Sequence, residues 1–327
     1  MRSSHFRYHD KTLSNDQEPT ILCGIVNVTP DSFSDGGQYN SVDKAVAQAQ
    51  KLIKEGAGMI DIGGESTRPG STYVAIEEEI NRVVPVIKAL KEVTDVPLSL
   101  DTWKADVAEA AIEAGVDIIN DITGFLGDPR MAEVVGQSQA GAILMFNPVT
   151  ARPDHPGSQK FPEFGDQTVF TDEEKAAFKE MPIEDVMMAY LDKSLERAHE
   201  AGIDDDRIML DPGIGFGLTK RENLSLIQKM GLLHDKGYWI FLGVSRKRFI
   251  QNMVEEAGYN VDVSTEEGFE NRDEASAALS TIAARQGIEV VRVHTMAHHR
   301  IACQIGDAVR LADQMEDVNF GAYADKK

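Results

Sequence analysis

The sequence predicts a single closed (β/α)8 TIM barrel, and three observations predict it. Eight short apolar runs recur along the 327 residues. The runs are continuous, without polar alternation, as parallel strands buried on both faces read. Longer amphipathic stretches of helical period separate them, and eight near-regular units in this length favour a closed barrel over an open doubly wound sheet.

The strands are expected at 21–27 (ILCGIVN), 58–62 (GMIDI), 96–101 (VPLSLD), 116–121 (VDIIND), 141–146 (GAILMF), 207–211 (RIMLD), 238–245 (YWIFLGVS) and 288–294 (IEVVRVH). The first helix is expected over 41–57, opened by Ser41 as N-cap and ending near Gly56. The second, over 76–93, carries Ile80, Val83, Val84, Ile87 and Leu90 at helical spacing. Further helical stretches fall at 105–114, 184–201, 222–233, 246–257, 272–285 and 301–315. Two segments break the rhythm. Residues 147–183 hold five of the twelve prolines and form a long insertion after the fifth strand, with a short helix near 172–179. Residues 258–271 are a shorter acidic excursion. Each reads as a solvated loop, with a lid or an oligomer contact as the functional alternative. Residues 1–19 read as a polar N-terminal leader, 20–316 as the barrel and 317–327 as a C-terminal tail.

Lys plus Arg is 33 and Asp plus Glu is 54, a formal charge of −21. A surface this acidic excludes nucleic acid and anionic membrane surfaces as partners. An anionic ligand would need a local pocket built against the global field. Cys23 and Cys303 are the two cysteines, too few for a disulfide framework. The N-terminus lacks the apolar core of a secretory signal, and no run of 18 apolar residues exists. Together these point to the cytoplasm.

In such a barrel the chemistry sits where strands end. The first strand ends at Asn27, whose amide oxygen suits a hard cation, and a Gly- and Ser-rich loop follows it. After the second strand, Gly63-Gly-Glu-Ser-Thr-Arg-Pro-Gly70 offers Arg68, a fork-shaped cation suited to a pyrophosphate. The third strand ends in Asp101, the fourth in Asn120 and Asp121, and the sixth in Asp211. Carboxylates and an amide at one barrel mouth can read a ring with several N–H donors and ring-nitrogen acceptors, although Asp101 could instead cap a helix. Asp211 opens the Gly-rich turn Asp-Pro-Gly-Ile-Gly-Phe216. Three consecutive cations, Arg246-Lys-Arg248, follow the seventh strand, and Arg292-Val-His294 ends the eighth, where barrels often bind phosphate. His294, His298 and His299 do not have the companions or spacing of a zinc site.

Together the motifs resemble dihydropteroate synthases of the pterin-binding enzyme family. The matching stretches are GIVNVTPDSFSDGG (24–37), DIGGESTRPGS (61–71), LSLDT (98–102), INDITG (119–124), DPGIGF (211–216), GVSRK (243–247) and RVH (292–294), in the family's order. The resemblance implies a Mg2+-dependent transferase of folate biosynthesis. It would join a hydroxymethyl-dihydropterin diphosphate to 4-aminobenzoate, releasing diphosphate, and would be a target of sulfonamides. Asp101, Asn120, Met145, Asp211 and Lys247 would bind the pterin. Asn27 would hold Mg2+, and Arg68, Arg292 and His294 the diphosphate. Phe33, Thr67, Pro69, Phe216 and Arg248 would form the aminobenzoate site. Asp35, Arg68 and Lys247 would carry the catalysis, Asp35 by stabilising a cationic pterin. The family is commonly dimeric, so a homodimer is expected, with 272–285 and 301–315 as contact faces.

Three departures concern the second substrate. Phe146, Arg248 and Thr295 stand where the family commonly has His, Ser and Asp. Two other readings remain open at this point. One is a weakly active or inactive pterin-binding homologue acting through a partner folate enzyme. The other is a methyltransferase using methyl-tetrahydrofolate, which would not need the Arg68 and Lys247 motifs.

Overall fold

The computed structural model describes residues 3–14, 19–29 and 38–317, the side chains of 38–40 excepted. Eight parallel strands close a barrel in sequence order: β3 (Ile21–Asn27), β4 (Met59–Gly63), β5 (Leu98–Asp101), β6 (Ile118–Asp121), β7 (Gly141–Met145), β8 (Ile208–Asp211), β9 (Trp239–Leu242) and β10 (Val290–Val293), which pairs back onto β3. The fold class is the one the apolar rhythm predicts. Around the barrel lie α1 (Gln38–Lys54), α2 (Ile76–Lys91), α3 (Ala105–Glu113), α4 (Met131–Gly136), α7 (Ile183–Glu200), α8 (Lys220–Gln228), α9 (Gly231–Asp235), α10 (Arg248–Glu256), α11 (Glu266–Gln286) and α12 (Ala297–Arg310).

Strand side chains alternate between the two faces of the sheet, and this period of two organises the molecule. Ile60, Ile62, Leu98, Leu100, Leu144 and Leu210 belong to the core beneath the helices. Met59, Ile118, Ile143, Met209 and Val290 belong to a separate cluster that fills the barrel floor. Two residues further along the same strands stand Asp61, Asn120, Met145, Asp211 and Arg292. The alternation that builds an apolar floor therefore places a polar layer directly above it.

The structure departs from the expected alternation in three places. The stretches at 246–257 and 272–285 become α10 and α11, and both lie between β9 and β10. After β6 comes α4, whose six residues are too few to display a helical period. The stretch expected at 222–233 splits into α8 and α9, because Lys229 leaves the helical region at φ −106°, ψ 15°.

The N-terminal segment is more than a polar leader. β1 (His5–Tyr8) and β2 (Lys11–Ser14) form an antiparallel hairpin. Phe6 and Tyr8 on one face of β1 are buried in the barrel-floor cluster. Phe6 lies with its ring centroid 6.0 Å from that of Trp239. A Cβ at Gly141 would come within 2.4 Å of the same ring, so glycine there makes room for it. Arg7 holds both oxygens of Asp206, each at 2.9 Å. Two aromatics in a polar stretch are a faint sequence signal, but they close the bottom of the barrel.

The insertion is likewise folded onto the body. Asn147 caps α5 (Pro148–Ala151), accepting from the amides of Val149 and Thr150. A single 3-10 turn spans Ser158–Lys160. The helix expected at 172–179 is α6 (Asp172–Glu180), started by a capping box of Thr171 and Glu174. Phe164, Phe170 and Phe178 are buried, and Arg152 donates to Glu222 of α8 at 2.7 Å. Beyond α12 and a 3-10 turn at Ala312–Gln314, residues 318–327 lie outside the described residues.

Candidate active site

The polar layer above the floor is a connected network centred on Asp61. Its side chain is fully buried in β4. It accepts from Arg292 Nε at 2.5 Å, Ser99 Oγ at 2.5 Å and Asn120 Nδ2 at 3.3 Å. A buried carboxylate is tolerated only when so supplied with donors. Arg292 also donates through Nη2 to Asp101 at 2.9 Å. Burial pushes the Asp101 carboxyl up, against the pull of Arg292.

On the far side of the mouth, Asp211 ends β8 and accepts from the Gly213 amide at 2.7 Å. Burial raises its pKa to about 6. Lys247, just ahead of α10, is lowered to about 8 by burial, with Asp211 opposing that shift. The turn after β8 lies against this lysine. Gly215 has φ +89°, and a Cβ there would meet Lys247 Cδ at 2.7 Å. Lys247 Nζ also stands 4.9 Å from the centre of the Phe216 ring.

A cationic rim surrounds these groups. His294 Nδ1 and Ser245 Oγ are hydrogen-bonded at 2.9 Å. Its pKa falls well below the ordinary value through burial and the charges of Arg246, Arg292, Arg68 and Lys247. Arg246 turns away, to a two-point pair with Asp273 at 2.6 and 2.8 Å. This contact and the Phe269 ring at 4.6 Å hold Arg246 at φ +56°, a conformation most side chains avoid. Arg68 is exposed on the loop after β4.

The neck of that loop is clamped. Glu65 Oε1 accepts from the Val74 amide at 2.7 Å. Lys104 Nζ donates to the Val74 carbonyl at 2.6 Å and to Glu79 at 2.7 Å, and lies 3.1 Å from Glu65. Trp103 Nε1 donates to Glu65 Oε2 at 3.0 Å.

The pterin binding enzyme family model matches residues 23–294. The dihydropteroate synthase of Bacillus subtilis is 41% identical over 278 residues, 85% of this chain and 84% of that protein. The chain belongs to the dihydropteroate synthase family of pterin-binding enzymes. Solved family members agree in fold. A Clostridium difficile dihydropteroate synthase crystallised in the presence of pteroic acid is 36% identical, with a TM-score of 0.74 covering 90% of this chain and 97% of that one. The Xanthomonas albilineans dihydropteroate synthase with 4-aminobenzoic acid is 35% identical, with a TM-score of 0.76 covering 94% and 98%.

The structure gathers the expected family residues at one end of the barrel, with qualifications. Asp101, Asn120, Met145 and Asp211 surround the mouth, with Lys247 beside Asp211. Asn27 ends β3, and its Oδ1 lies 3.5 Å from where a Cβ of Gly63 would stand. Thr67 and Pro69 flank Arg68 on its loop. Phe33 and Asp35 lie outside the described residues. Arg292, expected at the anion site, donates from Nε to Asp61 and from Nη2 to Asp101. Arg248 is exposed at the first residue of α10.

Two of the three departures are explained by geometry. Phe146 follows the inward Met145 and so faces outward, its ring centroid 5.4 Å from Tyr190 of α7. Its substitution for His therefore lies outside the mouth. Thr295 bonds Asp273 at 3.4 Å, and that same carboxylate holds Arg246. Motif reading missed Asp61. Its signal was present, because a charge inside the apolar run GMIDI is costly unless paired. Glu65, Trp103 and Lys104 gave no such signal, since their contact joins two separate loops.

Proposed function

We propose that this chain condenses the dihydropterin-methyl diphosphate with 4-aminobenzoate to give dihydropteroate and diphosphate. The observation that carries the reading is the pairing, at one barrel mouth, of a ring-reading set with an anion-receiving rim. Asp101, Asn120 and Asp211 accept the N–H groups of the pterin ring, and Lys247 donates to its acceptor atoms. Met145 packs on the ring face from β7. Arg292 acts from behind, orienting Asp101 and opposing the loss of its charge through burial. Arg68 and His294 receive the diphosphate. A neutral imidazole still donates one N–H, which suits His294 beside so many cations.

The reaction asks for charge stabilisation rather than a protein nucleophile. Arg68 balances the charge on the leaving diphosphate, and Asp35 would stabilise the positive pterin methylene. Phe33, Thr67, Pro69 and Phe216 form the aminobenzoate site. Arg248 supports a carboxylate there. A cation in the first turn of a helix is electrostatically unfavourable for the helix itself, and that turn of α10 holds no acidic residue to offset it.

Asn27 fits a Mg2+ that takes one oxygen from the protein and the remainder from diphosphate and water, as this ion commonly does. Among the described residues no cluster of three His, Cys, Asp or Glu side chains offers a separate cage. When bound, the ion would neutralise diphosphate charge. The active form is a homodimer in the cytoplasm. α11 and α12 pack on each other and leave Ile282, Ile301, Ile305 and Val309 exposed. The last three recur every fourth residue along one face of α12, a stripe that a second copy would cover.

Incubating the purified protein with the pterin diphosphate, Mg2+ and 4-aminobenzoate tests the reading. Dihydropteroate and diphosphate should appear in equal amounts. Pterin binding without either product would favour a non-synthase homologue.

A further inference from the structure

The turn at 157–161 of the insertion touches both sides of the barrel mouth. The Gly70 amide, two residues from Arg68, donates to the Lys160 carbonyl at 3.1 Å. On the other side, Phe161 stacks on Phe216 with ring centroids 5.7 Å apart and planes 27° from parallel. The backbone approach is equally close. A Cβ at Gly157 would stand 2.5 Å from the Gly217 carbonyl oxygen, and one at Gly217 would stand 2.9 Å from Ser158 Oγ. The Gly70 loop follows β4 and the Phe216 loop follows β8, which are four strands apart in an eight-stranded barrel and so face each other across it. A segment leaving β7 thus bridges opposite rims.

The bridge continues an aromatic wall. Lys247 stands 4.9 Å from the Phe216 ring, and Phe161 covers Phe216 on the insertion side. Phe161 and Phe216 both pack on the cluster containing Met145, and both remain half-buried. The wall therefore runs from the pterin end of the site to the Arg68 loop. An arylamine attacking the pterin methylene must approach between these two ends.

We propose that Phe161 is a specificity-determining residue for the arylamine, forming with Phe216 the ring-binding wall of the second-substrate site. The Lys160 carbonyl fixes the Arg68 loop to the same turn. The inference rests on the synthase reading above. It adds a side chain from the insertion, which no motif of that reading supplies.

The test is steady-state kinetics of Phe161→Ala with each substrate varied in turn. The KM for 4-aminobenzoate should rise about tenfold, the scale of one aromatic contact, and the Ki of a sulfonamide should rise with it. The KM for the pterin diphosphate should stay within twofold. Phe161→Tyr should restore most of the loss, and Phe161→Leu, which keeps bulk without the ring, replaces the alanine form with the same expected rise if that form does not fold. An unchanged 4-aminobenzoate KM in a folded Phe161→Ala enzyme would overturn the proposal and leave the synthase reading intact. Equal rises in both KM values would also overturn it, by marking a general loosening of the mouth. No dihydropteroate from the wild-type chain would overturn both.

Discussion

Asp61 shows how much one buried residue can organise. It does not face the mouth directly, yet it fixes Arg292 and Asn120 in one step, and Arg292 in turn fixes Asp101. Removing one member of a buried ion pair leaves the other charge uncompensated. Asp61→Ala should therefore destabilise the fold by about 3 kcal/mol, the low end for a broken buried pair because Asp101 keeps one contact with Arg292. Urea denaturation measures this, and the KM for the pterin diphosphate should rise in parallel. Titration acts at the same scale. Below about pH 6, Asp211 takes up a proton and loses acceptor capacity toward the ring. Above about pH 8, Lys247 loses its proton and its positive charge. Asp101, also raised by burial, protonates on the acid side as well, so kcat/KM for the pterin diphosphate should be bell-shaped, falling on the acid side as these carboxyls protonate and above about pH 8 as Lys247 loses its charge. A rate that stays flat through pH 9 would remove Lys247 from the role given to it.

Among the elements, β1 closes the barrel floor with very few residues. Its four residues supply Phe6 and Tyr8 to the floor on which the polar layer stands. Phe6→Ala should cost about 3–5 kcal/mol, the usual range for emptying a buried aromatic site. Urea unfolding of the variant against the wild type checks it, and a loss under 1 kcal/mol would mean the floor closes without the hairpin. The insertion makes the same point at the opposite end of the barrel. Its prolines and polar filler read as loop, and the burial of Phe164, Phe170 and Phe178 comes from packing on the barrel, on α7 and on one another. Residues 222–233 and the six-residue α4 were illegible for a simpler reason. Local breaks and very short helices do not register as period.

For the whole molecule, the net charge of −21 opposes an anionic substrate at long range. At the mouth the cations Arg68, Lys247 and Arg248 oppose that field locally, while Arg292 is paired with Asp61 and Asp101. The apolar stripe on α12 is the other feature visible only at this scale. Ile301, Ile305 and Val309 are each more than half exposed. Water would otherwise meet this stripe, and a second copy related by a two-fold axis would bury it twice over. Ile305→Glu should shift the protein to monomer at micromolar concentration, as sedimentation velocity would show. A dimer that persists would place the interface elsewhere.

The sequence alone determined the barrel, because eight near-regular units of continuous apolar run and helical stretch favour a parallel sheet that closes on itself. It also determined most of the mouth, because motif residues at strand ends must face the same end of a parallel barrel. Only the tertiary structure decided which of those residues meet. Arg292 turns to Asp61 and Asp101, Phe146 faces away from the mouth, and Phe161 reaches Phe216 from a segment more than fifty residues earlier in the chain. Local patterning sets which face a side chain takes. Pairing across the barrel depends on closure and register, and neither is written within any single run of residues.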